Sequence, residues 1–202
     1  MKELSQIEFD TVVTQHQKWL SSHGKRGSQA DFTDTILRDI WARGVNLAGA
    51  LFRGAQLYRD TFAHSTLNTA DFSEASITEV SFYSAHLEDV FWRKAYLCDV
   101  DFRHSILDKS RFFRATFSGA ITFQEASLVG ADLDLASLPL WCGGSRFKTD
   151  MRFVRQLFAH ITTLDVVDAD TDMQTVLVSI KSQALKSHRA CDLNLIPEGD
   201  QR

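Results

Sequence analysis

The chain has 202 residues, 44% apolar and 24% charged, with 22 Lys and Arg against 26 Asp and Glu and a formal net charge of -4. These proportions exclude a disordered chain and a strongly basic general nucleic-acid binder, and they fit one large globular domain or one domain with small appendages. Two counts stand out: 15 Phe, and only 2 Pro with 10 Gly.

The first residues, Met1 to Phe9, are polar and charged, so no secretory leader is expected there. No apolar stretch approaches the ~20 residues of a membrane span. Cys98, Cys142 and Cys191 are odd in number, widely spaced and without a CxxC, which reads as reduced thiols in a cytoplasmic protein, with no disulfide framework and no zinc site. Ser5 and Glu8 form an S-x-x-E capping box. Phe9, Val12, Val13, His16, Trp19 and Leu20 follow at helical spacing, and Gly24 is placed to stop the helix. Residues 1–27 therefore read as an N-terminal capping helix; a partner- or membrane-binding helix is the competing reading of the same stripe.

From Phe32 a five-residue period takes over. Phe32, Leu37, Ala42, Leu47, Phe52, Leu57, Phe62, Leu67, Phe72, Ile77, Phe82, Leu87, Trp92, Leu97, Phe102, Leu107, Phe112 and Phe117 are 18 consecutive centres, of which only Ala42 is not large. The frame slips by one residue and resumes at Phe123, Leu128, Leu133 and Leu138. Two residues before most centres sits Ala or Ser, with Val80, Val90 and Val100 somewhat larger and Asp60 a departure. Neither a helix, with period 3.6, nor a flat strand, with period two, accounts for this. A small and a large side chain two apart point the same way on extended backbone, and the remaining positions face out or turn a corner. Each pentapeptide then makes one short side of a stacked coil.

From Leu47 to Phe112 the centres alternate between Leu or Ile and Phe or Trp. Four sides per coil would place aromatics on one opposite pair of sides and aliphatics on the other, with the rings stacked in columns. Twenty-two pentapeptides give about five and a half coils, a rod about 25 Å long at the spacing of hydrogen-bonded strands. An inserted residue between Phe117 and Phe123 should form a bulge. Asp60 should bond local backbone amides, with a catalytic carboxylate as the competing reading.

The pattern, with Ala30-Asp31-Phe32, Ala70-Asp71-Phe72, Ala131-Asp132-Leu133 and Val45-Asn46-Leu47-Ala48-Gly49 as its best copies, resembles the pentapeptide-repeat family. The resemblance covers residues 30 to 140. It implies an all-β solenoid core over residues 28–140, a right-handed quadrilateral β-helix with N- and C-terminal α-helical caps.

Beyond the repeat, residues 141–202 read as a C-terminal helical cap and polar tail. Apolar stripes run through 150–164 and 172–185, each begun by an Asp. They would cap the last coil or pair across a homodimer interface, as family members often do. The Cys142-Gly143-Gly144-Ser145 stretch suggests either an anion-binding turn or the exit from the last coil.

No G-x-S-x-G, P-loop, G-x-G-x-x-G or H-E-x-x-H is present, so no catalytic residue, metal site or cofactor is expected and the chain reads as a non-enzymatic protein. The seven histidines are dispersed, and His64 and His104, roughly 10 Å apart on one side, cannot share a metal. What remains is surface. Arg53, Phe91, Arg93, Lys94, Arg111, Phe113 and Arg114 fall on the outside of the side built on Phe52, Phe72, Trp92 and Phe112, against Asp71 and Glu74. A basic patch with aromatics is a candidate partner-binding face, for protein or nucleic acid, and a flanking helix covering Phe91 and Phe113 is the alternative. The expectation is an interaction scaffold for an unidentified protein partner in preference to nucleic acid, with no membrane. The family also implies a second reading, a DNA mimic that binds DNA gyrase or another type II topoisomerase. Residues 45–140 hold 12 acids and 8 bases, a charge density far below that of a duplex.

Overall fold

Most pentapeptides build their corner by the same local means. The carbonyl of the centre accepts from the N–H three residues on, as in Thr35 to Phe32 (3.2 Å), Ala55 to Phe52 (3.1 Å) and Ala75 to Phe72 (3.1 Å). The residue two past the centre takes positive φ, where a type II turn requires it: 63° at Gly54, 63° at Glu74, 58° at Lys94 and 57° at Arg114. At Gly54 a Cβ would also run into the Asp34 carboxylate, so glycine answers two demands there. The turn bond follows the residue that closes it. It forms wherever that residue is Ala or Ser between Ala50 and Ala136, apart from the slipped corner at Ala120, and it is absent at Ile40, Val45, Asp60, Val80, Val90 and Val100. The larger side chains at the small position thus mark open corners.

The computed structural model describes residues 1–137, the backbone of two further strands, and Asp150. Residues preceding the centres pair in parallel at a step of one coil: Asp31 with Leu51, Leu51 with Asp71, Asp71 with Phe91, Phe91 with Arg111 and Arg111 with Asp132. Parallel columns run from Trp41 through Thr61, Ser81 and Asp101, and from Asn46 through Thr66, His86 and Ile106. On the remaining side the pairing widens into strands β2 (Thr35–Arg38), β3 (Gln56–Tyr58), β4 (Ser76–Thr78), β5 (Tyr96–Cys98) and β6 (Thr116–Ser118). These join β1 (Lys2–Leu4) in one sheet of order β1-β2-β3-β4-β5-β6, all parallel. The result is a parallel β-solenoid with four ladders per coil.

Its core is the ring array the alternation implied. Phe32, Phe52, Phe72, Trp92 and Phe112 stack with centroids 4.4–5.6 Å apart. Phe62, Phe82, Phe102 and Phe123 form a second stack at 5.3–5.5 Å. The two columns meet edge-to-face, as Phe52 on Phe62 (5.8 Å, 90°) and Trp92 on Phe102 (5.8 Å, 87°). Offset stacks and T-shaped contacts are the arrangements the ring quadrupole favours, each worth about 0.5–1.5 kcal/mol beyond burial. The indole N–H of Trp92 is buried in this array without an acceptor.

The N-terminal cap is helix α1 (Gln6–Ser21), closed at its start by the Ser5–Glu8 capping box. It ends before Gly24: Ser22 is the C-cap, and His23 and Gly24 both take positive φ, with the Gly24 N–H on the Trp19 carbonyl (2.8 Å). α1 buries Phe9, Val13 and His16 on the first coil. Phe9 continues the first ring stack over Phe32 and meets Phe62 edge-on at 6.4 Å, over the position where Ala42 is small. Open ladder edges are closed by polar groups. β1 pairs with β2, the Gln6 side-chain amide exchanges two hydrogen bonds with the Trp41 backbone (2.8 and 3.2 Å), and His16 Nδ1 accepts from the Ala30 N–H (3.0 Å).

The inserted residue does not interrupt a ladder. Leu97 still pairs with Phe117 and Asp101 with Thr122, so the extra residue is absorbed at the corner, where Gly119 takes positive φ and the Ala120 N–H bonds the Asp99 carboxylate (2.7 Å). Ile121 then takes the buried small position before Phe123. This is an open corner, the kind that tolerates added length. Parallel pairing also continues past residue 140. β7 (Ile121–Thr122) pairs with β9 (Cys142–Gly143), and β8 (Ser127–Leu128) with β10 (Lys148–Thr149). The expected helices over 150–164 and 172–185, the homodimer assigned to them and the polar tail lie outside the described residues, Asp150 apart.

Candidate functional site

On the outside of the solenoid each side presents three columns: the ladder residue before the centre and the two turn residues after it. On the Phe52 side, successive coils therefore place Asp71, Ser73 and Glu74 in one row, Phe91, Arg93 and Lys94 in the next, and Arg111, Phe113 and Arg114 in the third. The last two rows are held in register by the Phe91–Arg111 pairing and by the N–H groups of Trp92 and Lys94 on the carbonyls of Arg111 (2.8 Å) and Phe113 (2.9 Å). Six of the seven residues singled out in the sequence thus form one patch two coils tall. Arg53 does not join it: it lies two coils away, across the Asp71–Glu74 row, with its guanidinium 3.5 Å from Asp71.

Two of the three guanidiniums in the patch have a ring beneath them. Arg111 lies 4.6 Å from the centroid of Phe91, and Arg114 lies 5.3 Å from that of Phe113. Phe91 is 36% exposed and Phe113 half-buried, and among the described residues no helix covers either, because α1 docks at the other end on Phe32. Glu74 serves both Arg93 (3.6 Å) and Lys94 (3.4 Å). All three side chains are about half exposed, so these pairs are worth no more than about 1 kcal/mol and open readily. Arg111 and Arg114 take part in no ion pair among the described residues. Asp132 and Asp134 form the next row, so the basic band is flanked by carboxylates on both sides along the rod.

Asp60 is buried, with Oδ1 accepting from the Ile40 N–H (2.8 Å) and Oδ2 from the Tyr58 N–H (3.1 Å). Burial raises its pKa to about 7, against the lowering effect of the two amides and Arg38, with Asp39 adding to the rise. Both oxygens are engaged by backbone, the structural role expected from its position at an open corner. His16 is also buried, and burial holds its pKa below the ordinary value. Its Nδ1 accepts a hydrogen bond, so Nε2 carries the proton; it faces the Ala48 backbone without a hydrogen bond of good geometry.

His64 and His104 share a side and meet Tyr83, lying between them, edge-on at 5.6 and 5.1 Å, with Arg103 over the Tyr83 ring. No group of three or more His, Cys, Asp and Glu side chains among the described residues is placed to hold a metal ion. The Cys98 thiol is half-buried and donates to Asp99 (3.3 Å). Side chains of Cys142–Ser145 lie outside the described residues. The pairing of Arg111 with the ring of Phe91 was missed in the sequence, although the step of 20 between them carries the signal. No helix among the described residues is long and apolar enough to cross a membrane.

Residues 81–119 match the family model described as pentapeptide repeats, in 8 copies. No curated protein matches the sequence. Among solved structures, the chain is similar to AT2G44920, a pentapeptide repeat protein from the Arabidopsis thaliana thylakoid lumen, at 20% identity over 64% of this chain and 83% of that one, with a TM-score of 0.27. It is also similar to Rfr23, a pentapeptide repeat protein from the cyanobacterium Cyanothece 51142 (14% identity, 68% and 99% covered, TM-score 0.20). A third similar structure is QnrB1, a plasmid-mediated fluoroquinolone resistance protein (15% identity, 69% and 85% covered, TM-score 0.20). Likeness at these values carries no function over to this chain.

Proposed function

Because the chain belongs to the pentapeptide-repeat family, we propose that it is a non-enzymatic scaffold that binds a partner protein through the Phe52 side of its solenoid. One observation carries the reading: Phe91, Arg93, Lys94, Arg111, Phe113 and Arg114 occupy two adjacent rows fixed by a continuous ladder, with two of the arginines held over rings. A face built on a packed ring array has little backbone freedom to lose on association, which favours binding. The same basic band weighs against the DNA-mimic reading, since a topoisomerase seeking a duplex would meet positive charge on one side. The right-handed winding implied by the family belongs to this proposal as well.

The test is an affinity capture from the native host with the wild-type chain and with a variant carrying Arg93, Lys94, Arg111 and Arg114 each changed to Glu. The reading expects partners retained by the wild type and lost by the variant at unchanged thermal stability. Equal recovery by both would remove this face from the account. A supercoiling assay with gyrase, showing inhibition or protection by the chain, would favour the DNA-mimic reading instead.

A further inference from the structure

The band on the Phe52 side is specific in its chemistry, and the inference drawn from it rests on the scaffold reading above. Its two rows, 91–94 and 111–114, hold four bases and no acid, whereas the rows on either side carry Asp71 with Glu74 and Asp132 with Asp134. Rows are about 4.8 Å apart, so the positive strip is only two strands wide and runs across the rod, parallel to the coils. Arg111 and Arg114, whose planes lie over Phe91 and Phe113, bond no carboxylate among the described residues, which leaves their N–H forks for an outside acceptor. A guanidinium held in place by a ring loses little freedom when a carboxylate docks bidentately. The exposed edge of Phe91 supplies apolar contact beside it.

We propose that this strip binds a short, extended, acidic segment of the partner protein, its carboxylates on Arg111, Arg114, Arg93 and Lys94 and an apolar side chain on Phe91. Alternate side chains of an extended chain are about 6.6–7 Å apart, which lets a peptide lying along the strip present carboxylates on one face. A nucleic-acid duplex fits less well: its charge runs continuously at about one phosphate per 1.7 Å of axis. It would therefore overlap the acidic rows on both sides of the strip. The acidic rows confine an anionic ligand to the strip and fix its direction.

The experiment uses the full chain and two labelled twelve-residue peptides, one with Glu at alternate positions and Ser or Leu between, the other with Gln for each Glu, in an anisotropy titration at low and at 0.3 M salt. A labelled twelve-base-pair DNA duplex is the third probe. The expected result is binding of the Glu peptide at least tenfold tighter than the Gln peptide, weakened by salt. Binding should fall at least tenfold in the double variant Arg111→Glu, Arg114→Glu and be unchanged in Lys109→Glu, on another side of the rod. Melting temperatures alongside separate loss of binding from loss of fold. Equal affinity for both peptides, no binding of either, or a duplex that binds more tightly than the Glu peptide overturns the proposal. Partner capture through this face, with no acidic stretch in contact, keeps the scaffold reading and overturns only the acidic-segment proposal; failure of capture removes both.

Discussion

The ring of Phe9, on α1, lies 5.1 Å from that of Phe32 at an interplanar angle of 18°, so the capping helix extends the aromatic stack that the pentapeptides build. It reaches Phe62 as well, where Ala42 departs from the run of large centres. The irregularity in the repeat is therefore the socket for the cap. Phe9→Ala should lower stability by about 3–5 kcal/mol in urea unfolding. Ala42→Phe should cost about 1–3 kcal/mol through overpacking against Phe9. The double variant should be less destabilised than the two losses added together, because the new ring enters space the old one vacates. Strict additivity would show that the two sites do not share this space.

Trp92 is fully buried with an indole N–H that meets no acceptor. Phe occupies the equivalent position one coil before and after, at Phe72 and Phe112. Trp92→Phe removes the unsatisfied donor and keeps the stack, so its stability should stay within about 1 kcal/mol of wild type, while Trp92→Ala should lose about 3–5 kcal/mol. A loss of several kcal/mol in Trp92→Phe would mean that the indole has a partner in solution.

Asp60 gives a pH signature with a definite sign. With its folded pKa raised to about 7 from an ordinary 3.8, the folded chain keeps a proton that the unfolded chain has already lost between those values. Its contribution to stability is full at the acid end of that window, falls as pH rises through it and is flat above. Between pH 5 and pH 8 the term is roughly 2–3 kcal/mol. Unfolding midpoints of wild type and Asp60→Asn at the two pH values should show a wild-type loss on going to pH 8 that the variant lacks. The same slope in both proteins would contradict this.

His16 acts in the opposite direction. Its folded pKa lies below 6.5, so as pH falls through that value the unfolded chain takes up a proton that the folded chain resists. Stability is lost towards acid, and the protonated ring would set Nδ1–H against the Ala30 N–H at the cap. His16→Gln offers that N–H a neutral acceptor, and its melting temperature should fall less between pH 7.5 and pH 5 than that of the wild type. Identical acid sensitivity would place the effect elsewhere.

The solenoid was legible because its signal repeats: one large residue in five, fixed in alternation from Leu47 to Phe112, specifies sides, columns and ring stacks together. The small position told more than the spacing alone suggested, since Val80, Val90, Val100 and Asp60 turn out to sit at open corners, while Ala and Ser close hydrogen-bonded turns. The cap was legible as a helix, through Ser5, Glu8 and its apolar stripe. Its use of Gln6 and His16 to close ladder edges was not, because a polar side chain bonding distant backbone leaves no periodic trace. Nor did the pattern announce β1, three residues of mixed polarity that become a strand only because β2 offers an open edge. For the candidate face, the 20-residue coil brought Phe91 and Arg111 together and separated Arg53 from them; net charge alone showed neither.

A rotation scan by photo-crosslinking is the most direct measurement of the functional claim. The crosslinking amino acid is placed at Phe91, Tyr83, His86 or Tyr96, one position on each side of the rod, and the chain is irradiated with its native-host extract. Adducts are expected from position 91 and from none of the other three; adducts from another side with position 91 silent would contradict the assignment of the binding face.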